Sequence, residues 1–356
     1  MDRRTLLKAG MVTTAGGLII PTVGGLTESA EAAPQVGKVL ARNLSTPWGI
    51  AFLPNGDALV GERDSGKVFR VRKSGGRRQV GRLQVRSQKA NWGEGGLLGL
   101  ALSPNFRNDR WVYAYISTGS DNRIVRMRFR NGTLGPRRLV LGGIPTNTHH
   151  NGGRLGFHRG LLYASTGDAE NPSLAQNRNS LAGKILRLTP DGRVPQGNPF
   201  GNYTWSFGHR NIEGITFDNR GVLWATEFGD DRRDELNRIV KGGNYGWPIY
   251  EGRDGGDRRY RNPFTTWRPE NCSPSGIAVV NGMAFIGALR GRSLWAVRLR
   301  GPNAGRRFRH FHERFGRIRT VQAAPDGTLW MTTSNHDGRP STPHRNDDRI
   351  IRLRVG

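Results

Sequence analysis

Thiol chemistry is nearly missing from this sequence: Cys272 is its single cysteine. That excludes an intramolecular disulfide, and the residue lies too far from the N-terminus to carry a leader-linked lipid. No Cys-x-x-Cys-His occurs, so no c-type haem is attached, and any electrons the protein handles leave to a separate acceptor. Acidic residues are scarce, 28 Asp and Glu against 55 Lys and Arg, for a formal net charge of +27. No low-complexity linker divides the chain, and beyond the N-terminal segment no apolar run is long enough to cross a bilayer as a helix.

What stands at the N-terminus is a targeting pattern. Residues 1–33 carry Arg3-Arg4-Thr5-Leu6-Leu7-Lys8, an uncharged stretch over residues 9–27, and Ala30-Glu31-Ala32. An Arg-Arg start, an apolar middle and a small-residue cleavage site predict export by the twin-arginine route, to the cell envelope or beyond. Gly10, Gly16, Gly17, Pro21, Gly24 and Gly25 suit neither a packed helix nor a stable span. The route carries folded cargo, which suits a protein that matures around a cofactor or ion.

Removing that leader takes away Arg3, Arg4 and Lys8 together with Asp2, Glu28 and Glu31, so the positive excess belongs to the folded part. Nucleic acid is the first partner such a charge suggests. The arginines are spread along the chain, no nucleic-acid-binding motif is present, and the leader points out of the cytoplasm. The charge therefore reads as a source of solubility and of attraction to anionic cell-envelope polymers or acidic ligands.

The 51 glycines and 19 prolines fall at short intervals, as in a chain of many strands and turns. An apolar run, a Pro/Asn/Asp-Gly turn and a second apolar run recur six times. The copies are residues 49–56 with 58–60, 98–105 with 111–115, 153–157 with 161–164, 214–218 with 222–225, 276–282 with 284–286, and 321–327 with 329–331. Most lead into a third apolar strand, such as residues 68–71, 124–127, 185–188, 294–297 and 350–353. Repeats of roughly 40 to 50 residues with four strands each predict a six-bladed β-propeller over residues 34–356. A sandwich would alternate apolar and polar residues without this long period. In a propeller the loops at one end of the channel are the natural ligand site.

Motifs in those loops are Pro47-Trp-Gly-Ile-Ala-Phe, Gly93-Glu-Gly-Gly-Leu-Leu-Gly-Leu-Ala, His150-Asn-Gly-Gly-Arg-Leu, Thr166-Gly-Asp, Leu181-Ala-Gly-Lys-Ile-Leu-Arg, Gly208-His-Arg-Asn, Asp234-Glu-Leu-Asn, Gly242-Gly-Asn-Tyr-Gly-Trp-Pro and Ser273-Pro-Ser-Gly. In this order, from about Pro47 to Leu353, they resemble the soluble pyrroloquinoline-quinone (PQQ)-dependent sugar dehydrogenases, in particular the aldose sugar dehydrogenase branch of the glucose/sorbosone dehydrogenases.

The resemblance implies oxidation of an aldose at its anomeric carbon to a lactone, with PQQ and Ca²⁺ as cofactors. That reaction needs a base for the anomeric hydroxyl while hydride leaves the same carbon, and His is the natural base near neutral pH. By the family pattern His150 matches the base, Asp168 the carboxylate that orients it, and Arg210 with Asn211 the pair beside the quinone. Arg290, Arg317 and Arg319 match further holders of the cofactor's carboxylates, whose planar geometry suits the guanidinium fork. Trp267 is expected as a stacking surface in the cofactor pocket, and Glu94 and His149 as sugar contacts. The resemblance places calcium on backbone carbonyls of Glu227-Phe228-Gly229-Asp230-Asp231, at Gly229 and Asp230. Here Asp230 replaces the expected proline and Phe228 the expected His or Gln, a departure that either adds a carboxylate to a hard-cation site or reshapes the loop.

Two other functions compete. A calcium-dependent propeller lactonase would gather Glu94, Asp168, Asp230 and Asn211 around a metal-bound water. A non-catalytic propeller that binds carbohydrate or envelope polymer would suit the altered Glu227–Asp231 loop and the positive charge. The expected oligomeric state is a monomer.

Overall fold

The computed structural model describes residues 33–253 and 256–356, so all but the last residue of the predicted leader lies outside the described residues. Six antiparallel sheets follow one another along the chain, and each is one blade. Blade one runs Pro47–Phe52, Ala58–Glu62, Lys67–Val71 and Arg77–Arg82 from its inner to its outer strand. The six inner strands are Pro47–Phe52, Leu97–Leu102, Leu155–His158, Asn211–Phe217, Pro274–Val280 and Ile318–Ala323. Each begins one of the six sequence copies. No helix among the described residues is long and apolar enough to cross a membrane.

The turn signals act as the sequence suggests. In blade one the Gly56 N–H donates to the Leu53 carbonyl at 2.9 Å, closing the Pro-Asn-Gly hairpin. Blades stack face to face, so their central strands are buried on both sides; Trp111–Ser117 is buried at every position, whereas the outer Arg77–Arg82 is mostly exposed. Towards the axis the inner strands crowd together. At Gly99 a Cβ would lie 2.2 Å from the Gly153 carbonyl oxygen of the next blade, so only glycine fits there.

Blade six is assembled from both ends of the described chain. Gln35–Ala41 pairs antiparallel with Ile350–Arg354, Val36 opposite Leu353, and supplies the fourth strand of the sheet that Ile318–Ala323 begins. The resulting ring needs no free edge strand to join its last blade to its first.

A buried arginine occupies the axis. Arg154 is 5% exposed, and its guanidinium stacks 3.8 Å from the centroid of the Trp48 ring. Its Nε donates to the Glu213 carbonyl at 3.0 Å, Nη1 to the Trp48 carbonyl at 3.2 Å and Nη2 to the Thr320 hydroxyl at 3.3 Å. One side chain from blade three thus satisfies groups of blades four, one and six. Burial pushes its pKa down to about 9, against which the Glu213 carboxylate acts.

Replacing Arg154 by Ala is expected to destabilise the fold by ~3–5 kcal/mol, as loss of one partner in a buried charged network does, read from the guanidinium chloride midpoint. Arg154→Lys should recover less than half of the loss, because one ammonium cannot serve three blades in the fork geometry. A midpoint unchanged in Arg154→Ala would disprove the axial role.

Candidate active site

The loops that precede the inner strands, with Glu94, His150, Arg210 and Arg317, and those that follow the second strands, with Asp168, Asp230 and Arg290, carry the motif residues at one end of the channel. His150 heads this group, four residues ahead of Arg154, in a left-handed backbone conformation with φ of 56°. The chain passes so close behind it that a Cβ on Gly167 would lie 2.0 Å from the His150 carbonyl oxygen, which explains the glycine of Thr166-Gly167-Asp168. His150 Nδ1 lies 2.7 Å from Asp168 Oδ1. Asp168 is wholly buried, and its remaining partners are all donors: the Trp247 indole Nε1–H at 2.8 Å to Oδ2 and the Glu170 N–H at 2.9 Å to Oδ1. With the carboxylate accepting, the imidazole carries its proton on Nδ1 and leaves Nε2 as a base.

Glu94 joins this pair to a cavity of about 400 Å³. Its Oε2 accepts the His150 N–H at 2.9 Å and the Asn211 Nδ2–H at 3.2 Å. Burial alone would raise its carboxyl, yet the imidazole and backbone N–H of His150, with His149 and Arg339, hold it below the ordinary value. The same cavity is lined by Arg63, Arg290, Arg292, Arg317, Arg319 and Arg339, against the acids Glu94, Glu213 and Asp337.

These arginines divide into two kinds. Arg319 is 3% exposed and knitted into the wall: Nε donates to the Ser334 hydroxyl at 2.9 Å, Nη1 to Glu213 at 3.0 Å and Nη2 to Asp337 at 3.1 Å. Arg317 donates to the single oxygen Oδ2 of Asp337 from both Nε and Nη2, at 3.0 and 2.9 Å. Arg290 is exposed at the cavity and has no ion pair among the described residues. Burial would raise the Asp337 carboxyl, but Arg317, Arg319 and Arg63 together hold it down at about 2.

Arg210 lies beside the His150–Asp168 pair. Its backbone carbonyl accepts the Asp168 N–H at 2.7 Å, and its guanidinium sits 5.4 Å from the centroid of the Trp247 ring. Nη2 donates to Asp230 at 2.6 Å, while the buried Nε has no protein partner. Behind it, the Glu227 carboxylate accepts the Arg210 N–H at 2.6 Å and lies 2.8 Å from His209 Nδ1. Asp234 and Glu251 hold the neighbouring loop by accepting the N–H groups of Gly229 and Asp230, at 3.0 and 2.8 Å. In a trans peptide the carbonyl opposes the following N–H, so the Gly229 carbonyl points away from Glu251.

Several expected roles change in this setting. Trp267 does not line the cavity. It is 3% exposed, packs with Trp224, Cys272 and Ile277, and lies 6.0 Å from the Trp295 ring, because the outer strand Thr265–Trp267 carries it into the core beside blade five. Asn211 is wholly buried and spends its amide inside the protein, accepting the Gly152 N–H at 3.0 Å and donating to Glu94, so it positions the site. His149 Nδ1 is 2.9 Å from Glu170, and its ring centroid is 6.4 Å from that of His150. The Asp230 carboxylate is engaged by Arg210. Glu94 and Asn211 are hydrogen-bonded to each other, Asp168 is taken up by His150 and Asp230 by Arg210, and no group of three or more His, Cys, Asp or Glu side chains that could hold a metal occurs among the described residues. Sequence reasoning missed Trp247, Asp337, Glu213, Arg63 and Arg339. Trp247 stood in a quoted motif, whereas the others carry no signal apart from their place in the ring.

A six-bladed propeller with a carboxylate-held histidine beside an arginine-ringed cavity defines a class of channel-end active sites. Comparison with known proteins makes the class specific. The Glucose / Sorbosone dehydrogenase family model matches residues 44–346, and the chain belongs to that family; the family consists of oxidoreductases. The structure of the PQQ-bound form of aldose sugar dehydrogenase from Streptomyces coelicolor is 44% identical, with a TM-score of 0.86 over 92% of this chain and 100% of that one. Aldose sugar dehydrogenase YliI of Escherichia coli is 29% identical over 338 residues, 85% of this chain and 90% of its own. Quinoprotein glucose dehydrogenase B of Acinetobacter calcoaceticus is 32% identical over 263 residues, covering 63% of this chain and 55% of its own.

The Asp337 cluster yields a pH-dependent expectation. A carboxylate held below its ordinary value of 3.8 contributes stability that is complete above that value and is lost as pH falls towards about 2. Asp337→Asn should therefore cost ~3–5 kcal/mol at neutral pH. The gap from wild type should close as denaturation midpoints are followed into acid, and a gap that widens there would be incompatible with the assignment.

Proposed function

We propose that this protein oxidises aldose sugars at the anomeric carbon to lactones, using PQQ with calcium and passing electrons to a separate acceptor. The observation that carries the reading is the His150–Asp168 pair, 2.7 Å apart, joined through Glu94 to the arginine-lined cavity.

The residues present fit the cofactor. A planar tricarboxylate needs several fixed cations, and the cavity offers six arginines against three acids, each of which is already paired with an arginine of its wall. Arg290, exposed on the cavity, is placed to hold a carboxylate, and the Nε of Arg210 is an orphaned buried donor beside Trp247. A calcium ion would be held by the carbonyls of Gly229 and Asp230 together with the ligand's own oxygens, oxygen donors that suit a hard cation. When bound, the quinone supplies an electrophile that accepts hydride.

The chain supplies the proton chemistry. Asp168 fixes the His150 tautomer, and Nε2 takes the proton of the anomeric hydroxyl as hydride leaves the same carbon, so the hemiacetal loses two electrons and two hydrogens and becomes a lactone. Trp247 holds Asp168 from its far side, and Glu94 fixes the backbone of the base. Arg210 would offer its guanidinium, beside Trp247, to negative charge on a bound acceptor. The leader pattern supports export, and the positive charge supports attraction to anionic envelope polymers.

Dye reduction with glucose and other aldoses should require both calcium and PQQ. His150→Ala should lower kcat by on the order of 10²–10⁴ without abolishing cofactor binding, followed by the quinone's absorbance. Calcium- and quinone-independent turnover, or full activity in the variant, would refute the proposal.

Asp168→Asn should also lower kcat, by up to about 10⁴, because an amide in place of the accepting carboxylate favours the wrong imidazole tautomer. The measurement is single-turnover reduction of the bound cofactor. An unchanged rate would remove Asp168 from the base's support.

A further inference from the structure

At the seam between blades two and three, guanidinium groups crowd around one indole. Those of Arg126, Arg128 and Arg138 lie 4.6, 4.7 and 5.6 Å from the ring centroid of Trp111, which opens the second strand of blade two. Arg126 also donates from Nη1 to the Pro190 carbonyl at 3.0 Å, in the turn after the blade-three strand Lys184–Leu188. None of the three arginines has an ion pair among the described residues. The acids whose charges act on this seam are already engaged: Asp109 accepts the Ser103 hydroxyl and the Trp111 N–H, and Asp191 pairs with Arg193 at 2.7 Å. The blade-three turn is pressed against the outer strand of blade two, Arg138–Ile144, for a Cβ on Gly192 would lie 2.0 Å from the Val140 carbonyl oxygen. Flanking that contact in sequence are Leu139, 63% exposed, and Val194, 39% exposed, two of the four large apolar side chains that stand exposed among the described residues.

Three like charges around one ring repel one another. Their contacts with the indole offset part of that cost, and the rest calls for anions from outside the chain. A soluble polyanion would neutralise the arginines yet leave Leu139 and Val194 in water. A bilayer surface with anionic headgroups meets both needs: phosphates suit the guanidinium fork, and short apolar side chains enter the boundary between headgroups and acyl chains. The seam also lies at the end of the blades away from the cavity. The inner strand of blade two starts beside the cavity, where the Leu97 N–H donates to the carbonyl of the lining residue Arg63 at 2.8 Å, and Trp111 stands past its far end, next to the Leu102–Val112 pair.

We propose that this seam docks the protein on the surface of a bilayer rich in anionic phospholipids, with the His150 cavity turned away from the lipid. The inference stands apart from the dehydrogenase reading and is tested without turnover.

The full chain is sedimented with vesicles of phosphatidylglycerol and phosphatidylcholine in equal parts, and with vesicles of phosphatidylcholine alone. Wild type should partition onto the anionic vesicles and be released by salt. Arg128→Gln combined with Arg138→Gln should weaken that partition about thirtyfold, and Leu139→Ser combined with Val194→Ser about tenfold. A second measurement reads the docked face directly, whatever residues 1–32 contribute. Cys272 is buried, so a thiol introduced at the surface takes the label. A polarity-sensitive dye on Leu139→Cys should shift to the blue on anionic vesicles, whereas the same dye on Ile249→Cys, close in sequence to the Trp247 that holds Asp168, should not. Equal partition onto both kinds of vesicle, no loss in the arginine variant, or a shift from Ile249→Cys without one from Leu139→Cys would overturn the docking surface. Inorganic polyphosphate binding wild type as tightly as the anionic vesicles do, with vesicle binding indifferent to the two serines, would mark a polyanion site and overturn the lipid assignment.

Discussion

The guanidinium of Arg154 is the contact on which the architecture turns. A cation on the axis of a propeller has no water to solvate it, so its donors must find acceptors, and those acceptors belong to blades one, four and six. Holding them fixes how the inner strands stand relative to one another. Glu213, whose carbonyl Arg154 engages, presents its carboxylate to Arg319, and Arg319 in turn holds Asp337. The charge pattern of the cavity wall therefore grows outwards from the axis. His150 stands four residues before Arg154, so its position is set by the same anchor.

Around that frame the polar residues divide by burial. Asp168, Asn211, Glu213 and Glu227 are buried and have their hydrogen bonds filled by protein groups; they hold the geometry. His150, Arg290, Glu94 and Trp92 meet the cavity or its rim. Preorganisation of this kind gives an active site its advantage over water, since the oriented dipoles do not need to rearrange as charge moves. It also explains why several of the motif residues never face a ligand: a loop built from exposed polar residues alone would not hold His150 in a left-handed conformation.

The blades were legible because their signature is periodic: an apolar run, a turn with glycine, a second apolar run, six times over. The closing strand Gln35–Ala41 was not, since QVGKVLA repeats nothing and is recognisable only by its pairing with Ile350–Arg354. Nor was the third strand of blade four, Asp234–Ile239, whose polar residues are buried because Asp234 and Glu235 bind backbone N–H groups of nearby loops. At the site, the motifs located His150, Asp168 and Arg210 but did not tell ligand-facing from supporting residues. Trp267 shows the limit: an aromatic near a binding segment reads the same whether it faces a cavity or a core. Asp337 and Arg63 come together only through ring closure, which no local pattern encodes.

That closure joins strands separated by nearly the whole described sequence. As the chain is made from its N-terminus, five blades can form while the sixth still waits for its last strands. The cavity wall contributed by Arg317, Arg319 and Asp337 is therefore completed late, by the same event that latches the ring. A ligand spanning the cavity binds only the latched state and so holds the seam shut by mass action. On this architecture, ligand binding across the cavity and closure of the propeller are linked.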